Sequence, residues 1–294
     1  MEPILKKERS AIDAIGIFQA EPNLTTRLLA PRSPDRIALK DVVDGLKQWR
    51  VWLLLAWLDI KLRYRRSILG PLWITLSMAI TIYTMGLLYS RLFKFDLSDY
   101  YPFLATGFLG WSLLSSILIE SPSILLEAEQ FIKQMKQPYS VFIFRSVTRS
   151  FIIFFHNFLV LIPIIFFFKV KVNLYTLVGF LSIILLWING VAYGTILTLL
   201  GTRFRDIVPL TASLVQIVFF LTPILWSPAL LPQRYAYVVK LNPFAQFMEI
   251  IRNPLTGFAP SAYGCFIVIS FTLIGLWLAF FLFSRYRSSI PYWL

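Results

Sequence analysis

Several stretches of this chain run for about 18 residues or more without a charged side chain, and the remaining charges gather in clusters between them. A helix of about 20 apolar residues crosses the roughly 30 Å hydrocarbon core of a bilayer. That pattern restricts the chain to an all-α membrane protein. Composition points the same way: 57% of residues are hydrophobic, 17% aromatic and only 15% charged, against roughly 25% charged in soluble domains.

Six spans are expected, at residues 72–93, 102–119, 141–168, 174–200, 208–226 and 263–283. Gly70-Pro71 suits the entry to the first, because Gly bends the chain and Pro starts a helix without losing a needed donor. After the second span, Ser121-Pro122 reads as an N-cap followed by a first-turn proline. It would open a short amphipathic helix over residues 121–137, with Glu127 and Glu129 early and Lys133 and Lys136 late, the order that complements a helix dipole. Residues 227–260 form a long outer segment. Inside it, Asn242-Pro243 starts a helix too short to cross and too apolar to stand in water, so a re-entrant helix resting in the bundle is expected.

Ahead of the first span, residues 37–71 carry Leu39, Val42, Val43 and Leu46 at helical spacing, then Trp49, Trp52 and Trp57 bracketed by Arg50 and Lys61. The apolar part is too short to span. Tryptophans flanked by cations suit an interfacial amphipathic helix in the headgroup plane; the alternative is an amphipathic helix packed on protein. Residues 1–36 are polar and proline-punctuated and read as a flexible cytoplasmic tail.

The formal net charge is +13. In a soluble protein that would suggest nucleic acid, but here the cations sit beside the spans, where they set topology and meet anionic lipid. No nucleic-acid partner is expected. With six spans and both termini cytoplasmic, inner segments hold about 21 of the 28 Lys and Arg, the bias of the positive-inside rule.

The missing chemistry narrows the function. There is no G-x-x-x-x-G-K-[ST] loop to bind ATP. One histidine and one cysteine leave no metal cluster and no internal disulfide. No Asp-x-Asp pair sits near an inner membrane face, as a membrane glycosyltransferase would need. His156 beside Asn157 reads as a structural hydrogen-bonding residue. No catalytic residue, metal or cofactor is expected in this chain, which suggests a passive conduit driven by something else.

The segment DIKLRYRRSILGPLW at residues 59–73 resembles the pre-span signature of membrane (permease) subunits of polysaccharide-exporting ABC transporters, the O-antigen, teichoic-acid and capsule exporter class. Other segments agree in order: FIKQMKQPYSVFIFRSVTRSFIIFFHN, GTRFRDI, LTPILW, LNPF and RYRSSIPYWL. The FFHN and PYWL versions look closest to the O-antigen type.

The resemblance implies a homodimer in the bacterial cytoplasmic (inner) membrane, with two cytoplasmic ABC ATPase subunits that hold ATP and magnesium. The cargo would be a polysaccharide linked to undecaprenyl pyrophosphate. Residues 121–137 resemble the coupling helix that docks on the ATPase, with Ser121, Leu126, Glu127, Phe131, Lys133 and Lys136 as its contact residues. Arg63, Arg65 and Arg66 are the nearest cations for a lipid pyrophosphate, beside their role in topology. A glycan has C–H faces that stack on rings, so Tyr83, Tyr89, Trp111, Phe219, Phe220 and Trp226 are candidates to line the channel; packing is the plainer role for each. The rival functions are a small-molecule or drug exporter of the same fold, a membrane enzyme acting on lipid-linked sugars, and a structural subunit of an envelope assembly.

Overall fold

The computed structural model describes residues 33–170 and 173–294, which form helices and turns with no strand among them. Residues 1–32 of the expected tail and residues 171–172 lie outside the described residues. Five helical stretches are long and apolar enough to cross a membrane: Leu72–Phe93, Leu97–Gln134, Tyr139–Phe167, Leu174–Arg203 and Ala262–Trp293. A further apolar helix, Ile207–Leu221, has 15 residues, which is about 22 Å of helix.

In chain order the helices are α1 (Pro34–Lys47), α2 (Trp49–Arg63), α3 (Leu72–Phe93), α4 (Leu97–Glu120), α5 (Ile124–Glu127), α6 (Glu129–Gln134), α7 (Tyr139–Phe158) and α8 (Leu161–Phe167). The chain continues with α9 (Leu174–Arg203), α10 (Ile207–Leu221), α11 (Ala236–Leu241), α12 (Pro243–Leu255), α13 (Ala262–Tyr286) and α14 (Ile290–Trp293).

Prolines account for several departures from the expected boundaries. The stretch expected as one helix over 141–168 breaks between α7 and α8, because Pro163 offers no N–H to the carbonyl of Leu159 and its ring crowds that carbonyl. The helix expected to run from 208 to 226 stops at Leu221. Pro223 pushes the residue before it out of the helical region, and Thr222 sits at φ −97°, ψ 135°. Residues 222–226 then continue toward the first turn of α4, where the Tyr100 hydroxyl donates to the Leu225 carbonyl at 2.6 Å. The second long helix begins five residues before position 102, at Leu97, so Pro102 lies inside it rather than at its start.

The expected single helix over 121–137 is not a separate element. The chain passes from α4 through a 3-10 turn, Ser121–Ser123, into α5 and α6, with a break at Ala128. Ser121 does not cap it: its hydroxyl donates back to the Ile117 carbonyl, as hydroxyls inside helices do. Residues 37–71 likewise divide into α1 and α2 at Gln48, followed by a turn in which Gly70 has φ +56°.

α9 packs along α13 and against α12, α7 and the 3-10 turn; α2 and α1 lie across α7. The core runs through Leu109, Leu113 and Ile117 of α4, Val147 and Phe154 of α7, Leu186 of α9 and Ile250 of α12. Gly201 permits the closest approach. A Cβ there would fall 2.2 Å from the Pro122 carbonyl oxygen, so only glycine lets the 3-10 turn rest on α9.

In α1 the apolar side turns away from the bundle. Ala38, Asp41 and Gly45 are buried, while Leu39, Val43 and Leu46 are exposed. In α2 the packed seam is Ala56 and Ile60, with Leu54, Trp49 and Leu62 exposed. Trp52 turns inward to Phe144 and Trp187, with ring centroids at 5.9 and 6.2 Å, and Trp57 stacks on His156 of α7 at 6.1 Å.

Candidate functional site

Polar side chains from distant parts of the sequence meet at one end of the bundle, called the basic end below. Asp59, at the last turn of α2, receives the Nε of Arg145 at 2.8 Å and the Nη1 of Arg149 at 3.2 Å. Arg149 also reaches Glu120, at the end of α4, through Nη2 at 2.9 Å. One arginine of α7 therefore joins α2 to the root of the 121–137 segment. Its side chain is 14% exposed, so water screens these pairs poorly and each charge depends on its partner.

A second node is built on Asp41, 3% exposed. Its carboxylate accepts the backbone N–H groups of Tyr139 and Ser140 at 3.2 and 3.1 Å and the Nε of Arg287 at 2.7 Å. Two donors at the start of α7, which have no partner inside their own helix, are thus capped from α1. Arg203 at the end of α9 lies over the rings of Tyr286 and Trp293, 5.7 and 5.6 Å from their centroids, and holds the C-terminal residues against the bundle.

The 121–137 segment grows out of this framework. Ser121 is buried and its carbonyl accepts the Thr198 hydroxyl at 2.8 Å. Leu126 is half-buried, whereas Glu127, Phe131, Lys133 and Lys136 are exposed. Lys133 pairs with Glu129 one turn back and donates to the Leu294 carbonyl at 3.3 Å. Phe131 and Met135, 50% and 49% exposed, add apolar surface to the segment; Met135 follows α6 in extended backbone, φ −129° and ψ 133°.

Arg63, Arg65 and Arg66 sit together at the exposed end of α2 and the turn after it, with no salt bridge among the described residues. The six aromatic candidates divide. Trp111 is 7% exposed and packs with Val215, Ile224 and Met248, its ring 5.7 Å from Phe219 and 6.2 Å from Phe244. Phe219 is half-buried in the same group. Trp226 folds back to donate to the Phe220 carbonyl at 3.2 Å. Tyr89 stacks on Phe93. Tyr83 and Phe220, 38% and 64% exposed, present free surface.

At the opposite end, Arg252 of α12 is 8% exposed. Its guanidinium lies 3.8 Å from the ring centre of Phe103 and donates to the Pro223 carbonyl at 2.8 Å. It ties α12 to both α4 and the turn after α10. Asn242 caps α12, its Oδ1 accepting the Phe244 N–H at 2.9 Å. Gly257, at φ +86°, closes the other end, with the Phe258 N–H returning to the Asn253 carbonyl at 2.8 Å, a glycine-terminated helix end. Sequence reasoning treated Arg252 only as one of the cations in the outer segment; nothing in its neighbourhood along the chain marks it as buried.

These elements have the length, apolarity and buried polar junctions of a polytopic transport subunit. Residues 50–256 match the ABC-2 type transporter family, and the chain belongs to that family of transporter membrane subunits. It is similar to the O-antigen export system permease protein RfbA of Klebsiella pneumoniae, with 24% identity over an alignment covering 74% of this chain and 86% of that protein. A second RfbA from the same organism is also 24% identical, covering 65% of this chain and 74% of the relative.

Proposed function

We propose that this chain is the membrane subunit of an ATP-driven exporter of lipid-linked polysaccharide, O-antigen-like in type. The observation that carries it is the alignment over most of the length of two O-antigen export permeases. Two copies form the channel in a bacterial inner membrane, and ATP is hydrolysed on separate subunits. Six spans cross the membrane, the fifth being α10 extended by residues 222–226. The basic end faces the cytoplasm with both termini. The outward apolar faces of α1 and α2 lie in the headgroup plane, and α12 is the re-entrant helix. The packing of Phe244 and Met248 of α12 around Trp111 supports the last assignment.

On this reading the face of Phe131, Met135, Lys133 and Lys136 receives the ATPase. Arg63, Arg65 and Arg66 meet the pyrophosphate of the cargo as it enters beside α2. Tyr83 and Phe220 are the aromatics with free surface to offer a glycan; Trp111 supports the channel wall from behind.

Deleting the gene should abolish surface glycan on a gel while lipid-linked polymer accumulates inside the cell. Normal surface glycan in the deletion strain would sink the export reading. The purified chain should bring with it a subunit carrying a phosphate-binding G-x-x-x-x-G-K-[ST] loop.

A further inference from the structure

The end of the bundle opposite the ion-pair network holds a cavity of about 810 Å³ between the first turns of α4, the chain after α8, and α12. Pockets that enclose small organic ligands measure about 300–1,000 Å³. Two carboxylates, Asp99 and Glu249, and two cations, Lys169 and Arg252, line it. Among the described residues the lining charge sums to zero, which gives no preference to an anion such as phosphate and suits a neutral ligand that needs donors and acceptors together. The rings of Phe103 and Phe258 lie among these polar groups. Hydroxyls for the polar groups and C–H faces for the rings describe a saccharide.

The lining is also held in place before any ligand arrives. Arg252 is fixed on Phe103 and the Pro223 carbonyl. Glu249 accepts from the Asn253 amide and the Ser261 N–H, both at 3.2 Å. Gln246 donates to the Val239 carbonyl at 3.2 Å. A lining already ordered loses little side-chain freedom on binding.

We propose that this cavity is a saccharide subsite that takes one or a few sugar residues of a neutral glycan. It rests on the transport reading and extends it: a weak hold on the emerging chain, on the far side from the energy source, opposes back-sliding between strokes.

The test uses the complete transporter, purified with its partner subunits in lipid nanodiscs. The probe is the oligosaccharide released by mild acid from the host cell's own surface glycan. Saturation transfer from protein to sugar, together with slowed hydrogen exchange in residues 245–258, is the expected result. Phe258→Ala and Asp99→Asn should each weaken binding about tenfold, as expected for losing a ring face or a charge-assisted hydrogen bond. Both side chains are exposed, so the substitutions remove no core packing; if Phe258→Ala fails to assemble, Lys169→Ala takes its place.

Absence of transfer and protection overturns the subsite, as do variants that bind like the parent, or equal protection by inorganic phosphate or by added phospholipid vesicles. The deletion strain separates the two ideas. Glycan trapped inside it, with no sugar binding at the cavity, removes the subsite and leaves transport standing. Normal surface glycan removes the transport reading and the subsite's premise with it.

Discussion

The two ends of this bundle solve the same problem differently. At the basic end, α1, α2, α4, α7 and the C-terminal residues are cross-linked by two polar nodes, on Arg149 and Asp41, which together join groups from 29 to 246 residues apart. At the opposite end α12 is held to α4 by apolar packing around Trp111 and by one arginine on one phenyl ring, and a polar cavity remains beside it. An end that receives mechanical work benefits from rigid links, because force passes through ion pairs that are costly to break. An end that must pass a polar chain benefits from open, ordered polar surface. On the proposed function, the comparison separates the part that transmits motion from the part that meets cargo.

The largest effect should come from Arg149→Ala. It leaves Asp59 and Glu120 without their shared partner in a poorly hydrated junction, and removing one member of a buried pair costs about 3–5 kcal/mol. Thermal unfolding of the detergent-solubilised protein should show a clear loss, partly restored by adding Glu120→Gln, because Asp59 keeps Arg145. A variant that melts like the parent would end the view of this node as a brace.

Arg252→Met tests the other end. It keeps the packing on Phe103 but loses the charged hydrogen bond to Pro223, worth about 1.5–3 kcal/mol. Faster hydrogen exchange should appear in residues 222–226 while the first turn of α7 stays protected. Equal change at both ends would show that the bundle does not divide as described.

Asp41→Ala removes the cap from Tyr139 and Ser140. About 2 kcal/mol is expected, the upper part of the range for a helix cap, with fraying at the start of α7 read by amide exchange. Arg287, 27% exposed in its side chain, can turn to water, which keeps this loss below that of Arg149→Ala. An unchanged exchange rate at residues 139–142 would remove the capping role.

The smallest change in stability belongs to Lys133→Glu combined with Lys136→Glu. The Lys133–Glu129 pair is exposed and screened by water, so melting should barely move. Co-purification of the ATPase subunit should nevertheless fall. Undiminished pull-down would take the docking face away from this segment.

Helix content, the long apolar runs and the helix start marked by Asn242 could be read along the chain, because each depends on side chains within a few residues. The breaks at Pro163 and Pro223 obey equally local rules, yet they were overlooked because hydropathy runs straight through them. The polar junctions were another matter. Asp41 looks like one of several charges on the wet side of α1, and it became the buried residue only when α7 presented two free N–H groups to it. Nothing beside Trp111 in the chain marks it as buried; α12 packs over it.

Local chemistry and hydropathy thus determined what kind of protein this is: a helical chain with apolar runs long enough to cross a membrane. Tertiary structure alone decided which charges are structural, which aromatics are free, and where open polar space is left. Burial and pairing belong to pairs of residues far apart in the chain. The free energy of a charge depends on the neighbour that folding brings to it, and no neighbour in sequence records that.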